Sequence, residues 1–329
     1  MKRTAAGLIV AAMAIVTAGR LTAQQPPQVI PHDPDWAFQI QQMQLPPEPA
    51  TPKKLEGSAK SYTPKEIDDL MSPPDWYPGE HPPAPSVVAK GHGDALACGA
   101  CHLMNGMGHP ESASVGAVTA RYIQQQMADF KSGVRKDLAG RMNTIANALT
   151  DQEIKDAAEW FASLEPRPWT TVKEAAMVPK TVIANGRMRF VAPGGGMEPI
   201  GRRIITVPVD AERARARDPH SGFIAYVPPG SIARGRRLAQ TGGNGRTIAC
   251  ETCHGDGLRG LGNVPRLAGL HPIYITRQLY LFKDGTRHGV DGELMKKPVA
   301  KLTPDDILAL AAYIGSLPPA APGTAPTTR

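Results

Sequence analysis

The sequence predicts a mainly α fold: two helical domains in tandem, preceded by a proline-rich N-terminal arm and separated by a small β-containing insert. Three observations predict it. The runs Cys98-Gly-Ala-Cys101-His102 and Cys250-Glu-Thr-Cys253-His254 use all 4 cysteines of the 329-residue chain. They stand 152 residues apart, and much of the chain downstream of each repeats in that register. Each copy then ends on a helix-start signal followed by an amphipathic pattern. The expected segments are 1–23 (export signal), 24–85 (arm), 86–166 (first domain), 167–229 (insert), 230–318 (second domain) and 319–329 (mobile tail).

The repeat is one of identity at spaced positions. Tyr122-Ile123 matches Tyr274-Ile275, Gln126 matches Gln278, and Phe130-Lys-x-Gly133-x-Arg135 matches Phe282-Lys-x-Gly285-x-Arg287. After one inserted residue, Leu149-Thr150 matches Leu302-Thr303, and Ile154, Ala158 and Leu164 match Ile307, Ala311 and Leu317. In each copy a threonine precedes an acid three residues on, which is a capping signal, and the apolar residues behind it recur at three and four. Shorter helices are expected over 122–131 and 274–283. The second domain also opens with a helix over 231–241. The first reaches its cysteines too soon after Val87-Val88-Ala89-Lys90 for a full helix, so that element is expected to be clipped.

In the arm only 63–70 looks helical. Its prolines read either as an extended strap on a domain or partner, or as a disordered linker. In the insert, 180–184 and 187–191 flank Asn185-Gly186 and predict a hairpin, with further strands over 203–209 and 222–227. The run Glu212-Arg-Ala-Arg-Ala-Arg217 reads as a solvated face.

C-x-x-C-H is the attachment signal for c-type haem. Two thiols one helical turn apart reach the vinyl edge of one porphyrin, and the following histidine is held against the iron. Cys98, Cys101, Cys250 and Cys253 are thus candidate covalent haem anchors, and His102 and His254 candidate axial ligands. The two runs imply two covalently bound c-type haems. A thioredoxin-like pair, a disulfide or a zinc ribbon would also use C-x-x-C. The histidine in both runs and the apparent export signal argue against them.

A second axial ligand is needed to close each iron. Met142 stands 40 residues after His102 and Met295 stands 41 after His254, both expected in a loop before the last helix. A thioether is a soft donor that favours Fe(II). The competitors are Met104, Met107, Met127 and His109 for the first haem, and His271 and His288 for the second. Met104 and Met107 lie close to the attachment site, Met127 aligns with Leu279 and reads as core, and both His271 and His288 read as surface. Pro265 is placed to accept a hydrogen bond from His254 on its carbonyl. Its first-domain equivalent is not evident, Pro110 being out of register.

The N-terminus has a basic start, a short apolar run and small residues near Ala23, the pattern of a cleavable secretion signal. The rival is an uncleaved anchor. Cleavage leaves no transmembrane segment and implies the bacterial periplasm. The chain is 41% hydrophobic, with a formal charge of +7. A basic surface favours acidic partners; nucleic acid is not expected in that compartment.

Cys253-His-Gly-Asp-Gly257, Pro265-Arg-Leu-Ala-Gly269, Phe282-Lys-x-Gly285-x-Arg287, Met295 and Leu302-Thr-Pro-Asp-Asp-Ile resemble a class I c-type cytochrome of the dihaem cytochrome c4-like family. The second domain matches throughout and the first from Cys98 to Leu164, with Leu103 and Met104 where the family prefers glycine. The resemblance implies two His/Met haems in paired cytochrome c-like helical domains that carry electrons to oxidases or other acceptors. Relatives usually have a short connector, so the insert sets close haem-to-haem packing in question. The expected function is periplasmic electron transfer without catalysis, either as a free carrier or as the cytochrome or docking subunit of a larger assembly. Its partners would be a dehydrogenase, an oxidase or a membrane respiratory complex with an acidic docking surface. The alternative is a dihaem peroxidase, which needs one open iron. A distal cysteine, as in dihaem thiosulfate dehydrogenases, is ruled out because none remains. Unlike surroundings predict two distinct potentials.

Overall fold

A computed structural model describes residues 32–319. The expected export signal, the start of the arm and the tail beyond Pro319 lie outside the described residues. Among the described residues no helix is long and apolar enough to cross a membrane.

The arm is ordered over its described length and lies on the rest of the molecule. Its one helix, α1 (Pro64–Ile67), is capped by a reciprocal Thr63–Glu66 pair. It is shorter than expected, and Pro73-Pro74 come soon after. Trp76, 1% exposed, donates its indole N–H to the Ala216 carbonyl of the insert at 2.7 Å. Burying so large a ring and satisfying its donor answers the strap-or-linker question for this stretch.

Unit one comprises α2 (Ser86–Ala89), α3 (Cys98–His102), α4 (Ala120–Ser132), α5 (Arg141–Ala148) and α6 (Asp151–Ser163). Helix α2 has only four residues, the clipped element expected. Helix α6 starts on a Thr150–Glu153 capping box. Its apolar stripe, Ile154, Ala157 and Phe161, joins Val88, Ile145 and Leu149 in one core. Unit two repeats the plan with a full first helix: α8 (Ser231–Thr241), α9 (Glu251–His254), α10 (Pro272–Lys283), α11 (Lys296–Val299) and α12 (Pro304–Ser316). There Gly235 of α8 lets the helix press on α12, where a Cβ would stand 1.9 Å from the Ala309 carbonyl oxygen. Ile307 and Leu310 of α12 are fully buried, each stabilising the fold by about 2 kcal/mol through apolar burial.

All named strands belong to the insert. Strands β1 (Thr170–Glu174), β6 (Ile205–Pro208) and β7 (Phe223–Val227) form a sheet of order β1-β7-β6, with β1 and β7 parallel. Strand β2 (Met177–Pro179) pairs with β5 (Met197–Pro199), and β3 (Thr181–Ile183) with β4 (Arg189–Val191). The hairpin forms where expected, but its turn is wider than a two-residue Asn-Gly link: Ala184 N–H bonds the Met188 carbonyl at 2.9 Å across a 3-10 turn. The arginine run is also corrected. It forms a short helix, α7 (Ala211–Arg215), after which Arg217 turns inward. Its guanidinium donates to the Ile67 carbonyl (2.8 Å) and to that of Ala100.

The sheet wedges between the units. Val172, Ala225 and Val227 pack into the core of unit two. Trp169 and Phe223 pack with Leu103 and Met107 of unit one. His271, expected at the surface, is only 1% exposed. It sits in this wedge, with Nδ1 2.9 Å from the Thr170 hydroxyl and its ring edge-on to Phe223. A histidine before a proline-started helix looks exposed only if the insert is forgotten.

Candidate haem-binding site

One cavity of ≈ 1090 Å³ runs through both units. Cys98, Cys101 and His102 of α3 line it in unit one, and Cys250, Cys253 and His254 around α9 line it in unit two. Short helices suit the pentapeptides: they place the two thiols one turn apart on a common side. Burial pushes the Cys98 thiol up to about 12 and the Cys250 thiol up to about 11.

Each histidine is oriented by a carbonyl. His254 Nδ1 lies 2.8 Å from the Pro265 oxygen, as expected. In unit one His102 Nδ1 lies 2.8 Å from the Ala113 oxygen. Ala113 stands 152 residues before Pro265; Pro110 instead gives its carbonyl to Arg277 at 2.6 Å. A carbonyl only accepts, so Nδ1 carries the proton in both rings and each Nε2 keeps its lone pair. Burial holds both imidazoles below their usual pKa, with the carbonyl bonds opposing. Two neutral imidazoles with an outward lone pair are metal donors in waiting.

Met142 and Met295 line the same cavity. They do not ride on a loop, as expected, but on short helical turns: Met142 in the first turn of α5, and Met295 at the end of a 3-10 turn leading into α11. Asp137 anchors the former by accepting the N–H groups of Arg141 (2.9 Å) and Met142 (3.2 Å). Among the competitors, Met104 and Met107 are buried in the flanking cores away from the cavity lining, and neither His271 nor His288 lines it. His288 is exposed, as expected. Met127 does line it, but so does its repeat partner Leu279, which makes that position an apolar wall. His109 also lines the cavity, with burial pushing it down to about 3.

The repeat also builds a polar junction that sequence reasoning missed. Gly133 and Gly285 adopt left-handed φ of 80° and 81° at the ends of α4 and α10. The chain therefore turns back, and Arg135 and Arg287 settle over the rings of Phe130 (4.4 Å) and Phe282 (4.3 Å). The two arginines then meet across the pseudo-dyad through a backbone bridge. Arg135 donates to Gln126 (2.8 Å), Tyr274 (3.1 Å) and Gln278 (3.3 Å). Arg287 donates to Gln278 (2.7 Å), Tyr122 (2.9 Å) and Gln126 (2.6 Å). Burial would raise the Tyr274 phenol, but Arg135 and Arg287 pull it below its usual value. The units therefore meet face to face at this point, and the insert's sheet packs against each of them elsewhere. The signal was present in the sequence as the duplicated Phe-Lys-x-Gly-x-Arg, which by itself marks only the duplication.

Arg135, Arg287 and the 1%-exposed Arg266 all line the cavity, and none has a carboxylate within ion-pair distance among the described residues. Arg266 bonds only carbonyls, those of Gly116 (2.8 Å) and Ala268 (3.0 Å), and burial pushes it down to about 10. Buried cations without counter-ions are costly. Beside an apolar cavity already carrying two thiols and a lone-pair nitrogen per unit, they fit a haem with its apolar macrocycle and anionic propionates.

Comparisons with known proteins agree. The family model described as Cytochrome c matches residues 232–318, essentially unit two. Cytochrome c4 of Pseudomonas aeruginosa is 27% identical over 70% of this chain and 88% of its own length. A thiosulfate dehydrogenase electron acceptor of Thiomonas intermedia is 25% identical over 71% of this chain and 85% of its own. Cytochrome c-554(548) of Halomonas halodenitrificans is 32% identical over 22% of this chain and 90% of its own. The chain belongs to the c-type cytochrome family, in the two-unit layout of the dihaem cytochrome c4 proteins, and its cofactors are two covalently bound c-type haems.

Proposed function

We propose that this chain is a periplasmic electron carrier in which Cys98 and Cys101 hold one haem by thioethers and Cys250 and Cys253 the other. His102 and His254 are the nitrogen ligands, and Met142 and Met295 close the opposite faces. Bound there, haem supplies a one-electron Fe(III)/Fe(II) couple. The chain's own residues do the rest. The Ala113 and Pro265 carbonyls keep the proton on Nδ1 and so strengthen donation from Nε2. Apolar walls such as Ile145, Leu149, Leu279 and Leu310 exclude water. Arg135, Arg287 and Arg266 offset propionate charge.

One observation carries this reading: two methionines at repeat-equivalent positions line one cavity with their two histidines. A peroxidase needs a position left open to substrate and an acid or base beside it; matched thioethers favour two closed irons instead. The relative described as a thiosulfate dehydrogenase electron acceptor supports redox proteins as partners, a dehydrogenase on one side and an oxidase or respiratory complex on the other. The net charge of +7 supports acidic docking faces on them.

The oxidised optical spectrum tests the ligands. The sulfur-to-iron charge-transfer band is expected in the parent, weakened by about half in Met142→Ala or Met295→Ala and lost in the double variant, with two haems per chain by mass. A band absent from the parent, or surviving the double change, overturns the assignment.

A further inference from the structure

The repeat allows each surface of unit two to be compared with its counterpart in unit one, and at the thioether edge the two differ. Around unit two the edge is bare. Cys253 is exposed. Four large apolar side chains of unit two are exposed: Ile248 (39% exposed), Leu261 (62%, beside Gly255 just after the attachment run), Val290 (80%) and Leu294 (74%). They are four of the nine exposed large hydrophobics among the described residues. Ile248 and Leu294 also line the cavity, so this patch is continuous with the haem site.

Around unit one the same edge is covered. Leu96, the counterpart of Ile248, is half-buried, and the Ala97 N–H beside it donates to the Leu70 carbonyl of the arm at 3.0 Å. His109, the counterpart of Leu261, has Nε2 sealed from solvent. Leu138, the counterpart of Val290, packs beside Phe38 of the arm. Cys101 is half-buried, and desolvation raises its thiol above the usual range. Arg217 ties the cover down: one guanidinium joins the arm at Ile67 to the attachment helix at Ala100. Gly91 N–H adds a bond to the Met71 carbonyl at 2.7 Å. Arm and insert are therefore stitched to each other across the first C-x-x-C-H run, and no such stitch crosses the second among the described residues.

We infer that residues 67–71 and Arg217 close unit one to other proteins, so that a redox partner meets this chain at unit two, on the patch formed by Ile248, Leu261, Val290 and Leu294. The partner is a redox protein with an apolar contact face rimmed by carboxylates. Lys297 and Lys301 follow Leu294 in the chain, are exposed, and belong to no ion pair among the described residues, whereas Lys296 is held by Glu293 (2.7 Å) and Arg246 by Asp306 (3.5 Å). Apolar contact surrounded by opposite charge is the usual form of a transient docking face. The second pair of thioether anchors then serves as the chain's single port.

This inference rests on the dihaem reading, and its test separates the two. The oxidised full-length protein should give two sets of shifted haem-methyl proton signals, one of which moves in Met142→His and the other in Met295→His. Failure there overturns the ligand reading. Given two assigned sets, a neutral gadolinium chelate is added. The unit-two set should broaden several-fold more than the unit-one set, and Arg217→Gln should narrow the gap. Equal broadening, or the reverse order, overturns the closed-edge inference. Reduction by photoreduced flavodoxin, an acidic redox probe, should slow about tenfold in Leu261→Glu/Val290→Glu with an unchanged optical spectrum, since neither side chain lines the cavity and contact-face charge acts mainly on association. An unchanged rate overturns the docking patch.

Discussion

Lowering the pH should weaken the junction between insert and haem units through one side chain, His271. Burial, opposed by bonds to the Gly108 and Met107 carbonyls and reinforced by the charge of Arg277, pushes its pKa from 6.5 down to about 4. The folded state therefore resists a proton that the unfolded chain takes up readily. Stability from this group is fully present above pH 6.5 and is lost as pH falls through about 4. The gap between those two values, at 1.36 kcal/mol per pH unit, amounts to about 3 kcal/mol. With the ring 1% exposed, solvent screening takes little from that figure. His109, pushed down to about 3, pulls in the same direction over the same range and further down, so the wild-type curve alone does not isolate His271. The comparison is urea unfolding of wild type and His271→Gln at pH 7 and pH 4.5, tracked by far-ultraviolet circular dichroism. The variant should start less stable but lose less on acidification, by a margin of about 2–3 kcal/mol. Direct proton NMR should find the His271 ring still neutral at pH 5. A ring titrating near 6.5, or identical pH slopes in the two proteins, would refute the reasoning.

Close packing and buried charge give two further expected outcomes. Gly235→Ala places a methyl 1.9 Å from the Ala309 carbonyl oxygen and 2.7 Å from Tyr313 Cβ; it should cost about 3 kcal/mol, read as a lower urea midpoint. Arg266→Gln removes a buried cation beside the cavity and should lower a haem potential by something on the order of 50 mV, about 1 kcal/mol per electron, measurable by optical redox titration; an unchanged potential would mean that its charge is already compensated.

Much of the fold was legible in the sequence because it is local or repeated. Capping pairs at Thr150 and Thr303 and the periodic stripes behind them specify α6 and α12 without help from the rest of the chain. The Pro265 bond to His254 comes from chain spacing alone. The features that were not legible depend on long-range contact. Ala113 does for His102 what Pro265 does for His254, because only a carbonyl is needed and every residue has one; no side chain advertises it. Strands β1, β2 and β5 are three to five residues long with mixed polarity, too short for alternation to be read. His271 and Arg217 look like surface residues until the insert and the arm fold over them. The meeting of Arg135 with Arg287 needs two copies of one motif to be seen facing each other.

That meeting has a consequence for how the chain is put together. Each half offers the other the same glutamine, tyrosine and arginine and receives the same set in return, as in an isologous contact between identical subunits. Such a handshake needs no particular tether. The link between the halves was thus at liberty to lengthen into a small β module of its own, and that module could take on new work, such as roofing one half, without loosening their mutual grip.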